Sequence, residues 1–331
     1  MDKKITVFHR NAKCGFSINK VSQTFLRYID NKEEYYVPRS DSSLCSIFKN
    51  IYFVRRHRNK KGINHITGDI HYCVLGLLGC KTILTIHDTV SIDYYKTSWL
   101  KRTINILLWY RIPLLLADKI VCISESTRAS IKRFTKRDDI IVIYNASDDR
   151  LSFHPRQSIN LSTCNKPTIL TIGTKPNKNL IRTIEALKNI PCRLRIVGKL
   201  TNEIINALER CKIDYSNVFN LTDSEIEEEY VNCDIVSFVS LYEGFGMPII
   251  EANRVGRPVI CSDIPILKEI ASDAALLVSP YDVNSIREGF EHLIINKQLQ
   301  EDLIEKGQKN IVRFELSSIV LQWRQLYMST K

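Results

Sequence analysis

The chain has 331 residues, which is enough for two domains of about 150 residues that each bury their own core. Its composition, 44% hydrophobic and 25% charged, is typical of a globular protein and excludes a disordered chain. The formal net charge is +11 at pH 7, and residues 1–150 hold 26 basic against 14 acidic residues, so the first half carries the whole surplus.

Strand-like and helix-like runs alternate along residues 1–150, which predicts a parallel sheet with helices on both faces. The predicted strands are Ile5–His9, Ile51–Val54, Asn64–Thr67, Thr82–Ile86, Ile120–Ile123 and Ile140–Ile143. The predicted helices are Ile18–Tyr28, Leu100–Leu116 and Glu125–Phe134.

The periodicity fades over Asp148–Lys166, a polar segment with a proline that we interpret as a linker. A second alternation follows, with predicted strands Thr168–Ile172, Leu194–Val197, Asn217–Phe219, Asp234–Val239, Pro258–Cys261 and Ala275–Val278. Its predicted helices are Asn179–Leu187, Glu203–Cys211, Ser224–Val231, Met247–Arg254, Ser285–Asn296 and, at the end, Val312–Tyr327. Open α/β sheets bind ligands at the carboxyl ends of their strands, so two such domains facing each other would form a cleft.

The most informative segment is Ser240–Ala252, SLYEGFGMPIIEA, which follows the apolar strand Asp234–Val239. Pro248 suits the first helical position, because its φ is already helical and no N–H is needed there. A helix start presents unpaired N–H groups and the positive end of the helix dipole, and Gly244 and Gly246 let a ligand approach the main chain closely. The segment therefore predicts a phosphate-binding turn.

Two glutamates bracket this turn. Glu251 lies about one turn into the predicted helix, where its carboxylate can reach hydroxyls beside a bound phosphate. Glu243 precedes the turn and can contact another part of the same ligand. The alternative is that Glu251 only complements the helix dipole.

Ser240–Ala252 resembles the E-x7-E signature of the retaining glycosyltransferases of family 4, including its Gly-Phe-Gly-x-Pro interior. The resemblance runs from about Ile5 to Tyr327 and implies the GT-B fold, an α/β fold of two Rossmann-like α/β/α domains that face each other across a cleft. It implies that Glu251 holds the ribose of a nucleotide donor and that Glu243 holds the hydroxyls of the sugar. We expect an N-terminal domain of residues 1–150, a donor-binding domain of residues 151–311, and a last helix, 312–331, that packs back on the N-terminal domain as in the family.

A second strand-to-helix turn lies in Ile169–Leu180, ILTIGTKPNKNL. Lys178 would lie at the helix start, near Glu243 if the two strands are neighbours, and would offer a point charge to a diphosphate. The segment is similar to the family's G-T-x-x-P-R-K-N element, but Asn177 replaces the arginine and the loop is one residue shorter. Lys175 is our candidate for the second cation. The alternative is a surface lysine that caps a turn.

Polar residues also follow two strands of the first half. LTIHD ends in His87 and Asp88, and HITGDIHY brings Asp69 and His71 to the same kind of position. The resemblance places a histidine after this strand, close to the transferred sugar, and we assign that role to His87. Asp69, His71 and Asp88 are assigned to the acceptor side. A lone histidine is more often structural, which is the alternative.

These assignments give three predicted catalytic residues, Glu243, Lys178 and His87. The residues predicted to bind the donor are Gly15, Gly173, Lys175, Asn177, Lys178, Gly244, Phe245, Gly246, Met247, Pro248, Ile249 and Glu251. No Asp-x-Asp pair is present, so we expect no essential metal and no cofactor apart from the nucleotide sugar. The ten cysteines occur singly, without zinc-binding spacing, which predicts buried free thiols.

The function that the resemblance implies is transfer of a hexose, with retention, from a UDP or GDP sugar to a hydroxyl. The expected acceptor is a growing cell-surface glycan, such as an O-antigen, or a lipid-phosphate-linked acceptor in polysaccharide biosynthesis. The N-terminus lacks an apolar signal core and no window is apolar enough to span a membrane, so we expect a cytoplasmic protein. The basic cluster at residues 55–61 predicts peripheral contact with the anionic inner face of the plasma membrane. The alternative is a solvated face.

Two other functions stay open. A sugar-nucleotide epimerase on a similar scaffold would bind the same donor but would consume it without an acceptor. A non-catalytic nucleic-acid binder would use the basic half, but the cluster lacks interleaved aromatic residues, and we expect no nucleic acid.

Overall fold

In the computed structural model the described residues are 4–14, 17–94, 98–155 and 166–330. Contacts divide the chain into two compact units. The first unit comprises Met1–Ala146 and Glu315–Lys331, and the second comprises Ser147–Phe314. The end of the chain thus groups with its beginning. Gly15 and residues 156–165 of the predicted linker lie outside the described residues.

The first unit is built on a sheet of six parallel strands in the order β2-β1-β3-β4-β5-β6. The strands are β1 Ile5–His9, β2 Lys32–Tyr36, β3 Ile63–Ile66, β4 Lys81–Ile86, β5 Lys119–Cys122 and β6 Ile140–Val142. Adjacent strand residues point to opposite faces: Ile83 and Val121 join one apolar core, and Leu84 and Cys122 join another. Both faces of the sheet are therefore covered.

The helices on the way through this unit are α1 Ser17–Leu26, α2 Leu44–His57, α3 Val90–Asp93, α4 Trp99–Asn105, α5 Ile112–Leu116 and α6 Glu125–Ile131. A π-helical segment, Ile106–Arg111, joins α4 to α5 in place of the single predicted helix. Pro113 has no N–H for the carbonyl of Trp109, four residues before it, and the Ile112 N–H bonds five residues back to Leu107.

The predicted strand Ile51–Val54 is wrong, because these residues belong to α2. Ile47, Asn50 and Val54 are buried at helical spacing, and the Ser43 side chain caps the helix start. A run of four apolar residues does not distinguish a strand from part of a helix. The strand that the sequence did not predict, β2, is polar and lies at the sheet edge.

The second unit contains another sheet of six parallel strands, in the order β12-β11-β10-β7-β8-β9. The strands are β7 Thr168–Ile172, β8 Arg193–Val197, β9 Tyr215–Val218, β10 Ile235–Phe238, β11 Val259–Ser262 and β12 Leu276–Val278. The helices are α7 Leu180–Leu187, α8 Asn202–Cys211, α9 Asp223–Asn232, α10 Met247–Val255, α11 Pro265–Ala271, α12 Val283–Ile295 and α13 Lys297–Asn310. All six strands were predicted, whereas α11 and α13 were not. The predicted fold class, two Rossmann-like α/β domains, is confirmed.

The last helix, α14 Leu316–Ser329, packs on α1 in the first unit. The rings of Trp323 and Phe25 stack with centroids 4.5 Å apart. The Tyr327 hydroxyl lies 2.7 Å from Nδ1 of His65 on β3. The helix thus contributes both apolar contact and a hydrogen bond to the first unit's core.

Eight cysteines in the described part of the chain are not disulfide-bonded. They are Cys45, which is exposed, Cys80, which is half-buried, and the buried Cys73, Cys122, Cys192, Cys211, Cys233 and Cys261. Burial raises the pKa of Cys192 to about 11 and that of Cys261 to about 12, so these thiols stay protonated.

Candidate active site

Two strand-to-helix turns meet at one edge of the second sheet. Their strands, β7 and β10, are parallel neighbours, so their carboxyl ends lie side by side. The Leu241 N–H donates to the Asn177 carbonyl at 2.7 Å, and the Asn177 side-chain amide donates to the Tyr242 carbonyl at 3.1 Å. Asn177, which stands where the resembled family has an arginine, therefore joins the two turns rather than adding a charge.

Lys178 and Glu243 form an ion pair across these turns. Lys178 Nζ lies 2.7 Å from Glu243 Oε1, and the two side chains are only 20% and 13% exposed. The ammonium group also lies 4.6 Å from the centroid of the Phe238 ring, at cation–π distance. The predicted proximity of Lys178 to Glu243 is confirmed, and the carboxylate holds the cation at the strand edge.

Gly173 leaves space for the lysine side chain. Its φ is +98°, and a Cβ at this position would lie 3.0 Å from Lys178 Cε and 3.1 Å from Cγ. Contacts that short are tighter than ordinary packing allows. The glycine therefore lets the stem of Lys178 lie directly against the main chain.

The helix α10 begins at a second glycine. Gly246 has φ +130° and ψ 42°, and no side chain caps the helix. The helix starts at Met247. Pro248 is therefore the second helical residue, whereas the sequence analysis placed it at the first helical position. The Ile249 N–H already bonds the Gly246 carbonyl at 2.9 Å. The first-turn donors for a ligand are thus those of Gly246 and Met247, a narrower set than the sequence indicated.

Glu251 is held by a tyrosine that the sequence analysis missed. The Tyr230 hydroxyl donates to Glu251 Oε2 at 2.6 Å, and Tyr230 is fully buried. Burial and the negative charge of Glu251 raise the pKa of Tyr230 well above its ordinary value, so the phenol remains a donor. The sequence gives one indication of this role, since Tyr230 is an aromatic residue among the acidic residues of α9. In the structure Tyr230 is the residue of α9 that is buried.

The remaining predicted donor residues surround these groups. Gly244 is half-buried and Phe245 is buried, with its ring 5.9 Å from that of Phe314. Lys175 is exposed at the start of the turn, so its role as the second cation stays a prediction.

In the first unit, His87 follows β4 and its ring lies against Gly68. His87 Nε2 donates to the Thr67 carbonyl at 2.6 Å. Gly68 has φ +131°, and a Cβ there would lie 2.3 Å from His87 Cδ2, so only glycine leaves space for the ring. Burial lowers the pKa of His87 to about 4, which keeps the imidazole neutral.

The three residues assigned to the acceptor side, Asp69, His71 and Asp88, line one cavity with His87. The cavity has a volume of about 180 Å³. Asp69 adopts the left-handed region with φ +60°, and its carboxylate accepts from Arg10 at 3.1 Å. The structure therefore brings these residues together, within the first unit, as the sequence indicated.

Two further histidines are buried in the first unit without having been predicted as polar core residues. His65 contacts the Tyr327 hydroxyl through Nδ1 and the Thr85 hydroxyl, at 2.8 Å, through Nε2. Burial lowers the pKa of His65 to about 3. His9 Nε2 lies 2.9 Å from the Glu34 carboxylate.

Within the described residues, no group of three or more histidine, cysteine, aspartate or glutamate side chains is placed to hold a metal ion. The helices in the described part of the chain include none that is both long and apolar enough to cross a bilayer. The expectation that no metal is essential stays a prediction.

Two solved structures illustrate the similarity in fold. Sucrose-phosphate synthase of Thermosynechococcus elongatus matches with a TM-score of 0.81 at 17% identity, covering 98% of both chains. Anabaena HepE, solved in complex with UDP and glucose, matches with a TM-score of 0.79 at 16% identity, covering 99% of this chain and 100% of that one. At this identity the similarity establishes the fold, which is that of the GT-B enzymes.

Several proteins with related sequences are glycosyltransferases. An uncharacterised glycosyltransferase of Methanocaldococcus jannaschii is 26% identical over 77% of this chain and 71% of its own. The O-antigen biosynthesis glycosyltransferase WclY of Escherichia coli is 27% identical over 80% of this chain and 81% of its own. The serotype-specific mannosyltransferase WbdA of Escherichia coli is 27% identical over 48% of this chain, which spans only 23% of that longer protein.

Two family profiles together match most of the chain. Residues 28–151 match the profile described as Glycosyltransferase Family 4. Residues 156–310 match the profile described as Glycosyl transferases group 1. This range includes Lys178, Glu243 and Glu251. The chain therefore belongs to glycosyltransferase family 4, the group 1 glycosyl transferases.

Proposed function

We propose that this glycosyltransferase transfers a hexose, with retention, from a UDP or GDP sugar to a hydroxyl of a growing cell-surface glycan or a lipid-linked acceptor. The observation that carries the proposal is the Lys178–Glu243 ion pair beside the uncapped start of α10. The Lys178 ammonium group, held in place by Glu243, and the N–H groups at the helix start would stabilise the negative charge of a departing diphosphate.

The donor assignment has support from the second unit. Lys178 and the N–H groups of Gly246 and Met247 would bind the diphosphate, since Lys178 lies at this strand edge and no side chain caps the start of α10. Glu251, oriented by Tyr230, would accept from the ribose hydroxyls, and Glu243 would bind hydroxyls of the sugar. The UDP bound to HepE supports a uridine donor, and the name of WbdA supports mannose as one candidate sugar.

Retention would follow if the acceptor attacks from the same face that the diphosphate leaves. The acceptor oxygen bonds to the anomeric carbon while the bond from that carbon to the diphosphate oxygen breaks. The proton of the acceptor hydroxyl passes to the departing phosphate oxygen. No metal is needed in this scheme, because Lys178 and main-chain N–H groups bear the developing charge.

The acceptor would be handled by the first unit. His87 is neutral and fixed by its bond to Thr67, so it would contact the transferred sugar as a neutral hydrogen-bonding group. Asp69, His71 and Asp88 would contact the acceptor. The name of WclY, an O-antigen biosynthesis glycosyltransferase, supports a cell-surface glycan as the acceptor class. The comparisons do not favour the epimerase or the nucleic-acid binder.

The test is a thermal-shift panel of UDP, GDP, ADP and dTDP with their hexose conjugates, followed by a transfer assay with the stabilising donor. We expect one base to raise the melting temperature and its sugar conjugate to raise it further. The proposal fails if no nucleoside diphosphate stabilises the protein. Consumption of the donor without any acceptor would indicate the epimerase instead.

We also propose that the first unit binds anionic lipid through a surface that we call the basic helical face. It is formed by α2 and the helical run 99–116, which contain no acidic residue and pack into the same apolar core. Its exposed apolar side chains include Phe48, Tyr52 and Trp99, which are 68%, 61% and 78% exposed. Aromatic residues flanked by basic ones are typical of helices that lie in a membrane interface.

The basic residues of this face are not equivalent. Arg55 and Arg56 are exposed in the last turn of α2. Arg58 is half-buried, with its guanidinium 3.5 Å from the Gly76 carbonyl, so it is a poor lipid contact. We therefore expect the exposed pair to contribute most of the attraction within the predicted cluster.

Co-sedimentation with vesicles of equal parts phosphatidylcholine and phosphatidylglycerol tests the basic helical face. Reversal of Arg55 and Arg56 to Glu should weaken binding about tenfold or more, because each basic residue near an anionic surface contributes about 1 kcal/mol. Trp99→Ser should weaken it further, while Lys188→Glu in the second unit should not. Equal binding by all variants would assign the face to solubility alone.

A further inference from the structure

The cavity lined by Asp69, His71, Asp88 and His87 borders a buried imidazole nitrogen that has no hydrogen-bond partner in the described part of the chain. His71 is 3% exposed, and its Nδ1 lies 2.6 Å from the Trp109 carbonyl. Since a carbonyl only accepts, Nδ1 carries the proton and Nε2 is left with a bare lone pair. Nε2 is buried, and among the described residues no group hydrogen-bonds to it.

This imidazole is held in its neutral form. Burial lowers the pKa of His71, and the bond to Trp109 and the charge of Asp69 oppose that shift only in part. Buried polar atoms in proteins are nearly always hydrogen-bonded, and an exception calls for an explanation. His71 is one of the residues that line the cavity, so a hydrogen-bond donor bound there would supply the missing partner.

The walls of the cavity select a neutral, hydroxyl-bearing guest. Asp69 and Asp88 would repel an anion, whereas Arg10 at 3.1 Å from Asp69 and the Val90 N–H at 2.9 Å from Asp88 Oδ1 reduce the attraction for a cation. Trp109 forms part of the wall, and its indole N–H donates to the Asp69 carbonyl at 2.7 Å, which fixes the ring. A fixed aromatic face beside hydrogen-bond acceptors is the kind of surface on which a sugar ring packs.

We propose that this cavity binds the terminal sugar residue of the acceptor and that His71 Nε2 accepts a hydrogen bond from one of its hydroxyls. The proposal rests on the proposed function, because only a transferase needs an acceptor sugar. The cavity volume of about 180 Å³ is well above the roughly 10–15 Å³ that a single water molecule needs by this kind of measure, so the cavity has room for a guest larger than one water molecule. His71 thereby determines which acceptor hydroxyl pattern is bound.

The probes are the methyl glycosides of mannose, glucose, galactose and N-acetylglucosamine, titrated into protein with ¹⁵N-labelled histidine. At least one probe should shift the Nε2 resonance of His71 and leave that of His292, in the second unit, unchanged. No shift of His71 with any probe, up to the solubility limit, would overturn the proposal. This measurement uses the unmodified chain and needs no variant to fold.

A matched pair of variants provides the second readout. His71→Asn keeps a side-chain N–H for the Trp109 carbonyl but removes the Nε2 acceptor. His57→Asn is the control, because His57 Nδ1 donates to the Phe53 carbonyl at 2.8 Å in the same way but lies outside the cavity. We expect His71→Asn to raise the acceptor KM at least tenfold with an unchanged Kd for the nucleoside diphosphate, and His57→Asn to change neither.

The outcomes separate the two proposals. An unchanged acceptor KM in His71→Asn overturns the cavity assignment and leaves the transferase proposal in place. Absence of nucleotide binding by the unmodified protein contradicts the proposed function itself, whatever the sugars do.

Discussion

The functional side chains of the second unit are charged, whereas those of the first unit include neutral histidines. In the second unit, Lys178 and Glu243 are both charged and paired at 2.7 Å, beside a helix start that adds positive potential. In the first unit, His65, His71 and His87 are buried, and burial lowers the pKa of each, so they are neutral. A departing diphosphate requires fixed charge, whereas a sugar hydroxyl requires neutral partners. The contrast therefore matches the two substrates of the proposed reaction.

The largest expected effect is on the charged side. Lys178→Ala should lower kcat about 10²–10³-fold, because it removes the cation that would stabilise the leaving diphosphate and leaves Glu243 unpaired. Lys188→Ala, at the other end of α7 and exposed, is the matched control. Steady-state transfer assays with circular dichroism as a check on folding measure it. A kcat within threefold of the unmodified enzyme would contradict the assignment.

On the neutral side, the corresponding change is Gly68→Ala. The new Cβ would lie 2.3 Å from His87 Cδ2 at a φ of +131°, so we expect a loss of about 3 kcal/mol in unfolding free energy or a displaced His87 with little transfer. Gly79→Ala is the control, since φ is +77° but no atom lies within 4 Å, and it should cost about 1 kcal/mol. Denaturant titration compares the two, and equal losses would show that the contact with His87 is unimportant.

A smaller effect is expected where a neutral group supports a charged one. Tyr230→Phe removes the hydroxyl that donates to Glu251 at 2.6 Å, and a hydrogen bond to a charged group contributes about 1.5–3 kcal/mol. We expect the donor KM to rise about tenfold or more with a smaller change in kcat, since Glu251 would bind ribose rather than the reacting atoms. A change in kcat alone would place Glu251 nearer to the chemistry.

The smallest effect concerns pH. Native His65 stays neutral down to about pH 3, whereas an unfolded histidine binds a proton below about 6.5, so the unfolded state holds more protons in this range. Stability should therefore fall as the pH falls from about 6.5 toward about 5. His65→Gln should reduce that dependence by on the order of 1–2 kcal/mol, seen as a flatter plot of melting temperature against pH. An identical slope would show that His65 does not contribute.

The sequence predicted the second unit better than the first, for physical reasons. Strands β7 and β10 are apolar runs that end in glycine-containing turns, so both their existence and the meeting of Lys178 with Glu243 could be predicted. The polar edge strand β2 carries no such pattern. Ile51–Val54 is apolar but too short to show its helical period, and α2 was missed.

Contacts between distant elements account for the rest of what was missed. Tyr230 meets Glu251 across two helices, and His71 meets Trp109 across 38 residues. Neither pairing can be predicted from the spacing of residues along a single helix or strand. The residue types in both sites were therefore predictable, but the groups that orient them were not.

Pro113 lies one helical turn beyond Trp109 and does not line the proposed acceptor cavity. It nevertheless affects the hydrogen bonding of the His71 imidazole. An amide hydrogen at that position would compete for the carbonyl that His71 now uses. Pro113 supplies none, and the Trp109 carbonyl accepts a hydrogen bond from Nδ1 of His71, which fixes the tautomer of that imidazole. The irregular helix around Pro113 thus bears on which nitrogen of His71 is available to accept a hydrogen bond from a hydroxyl group.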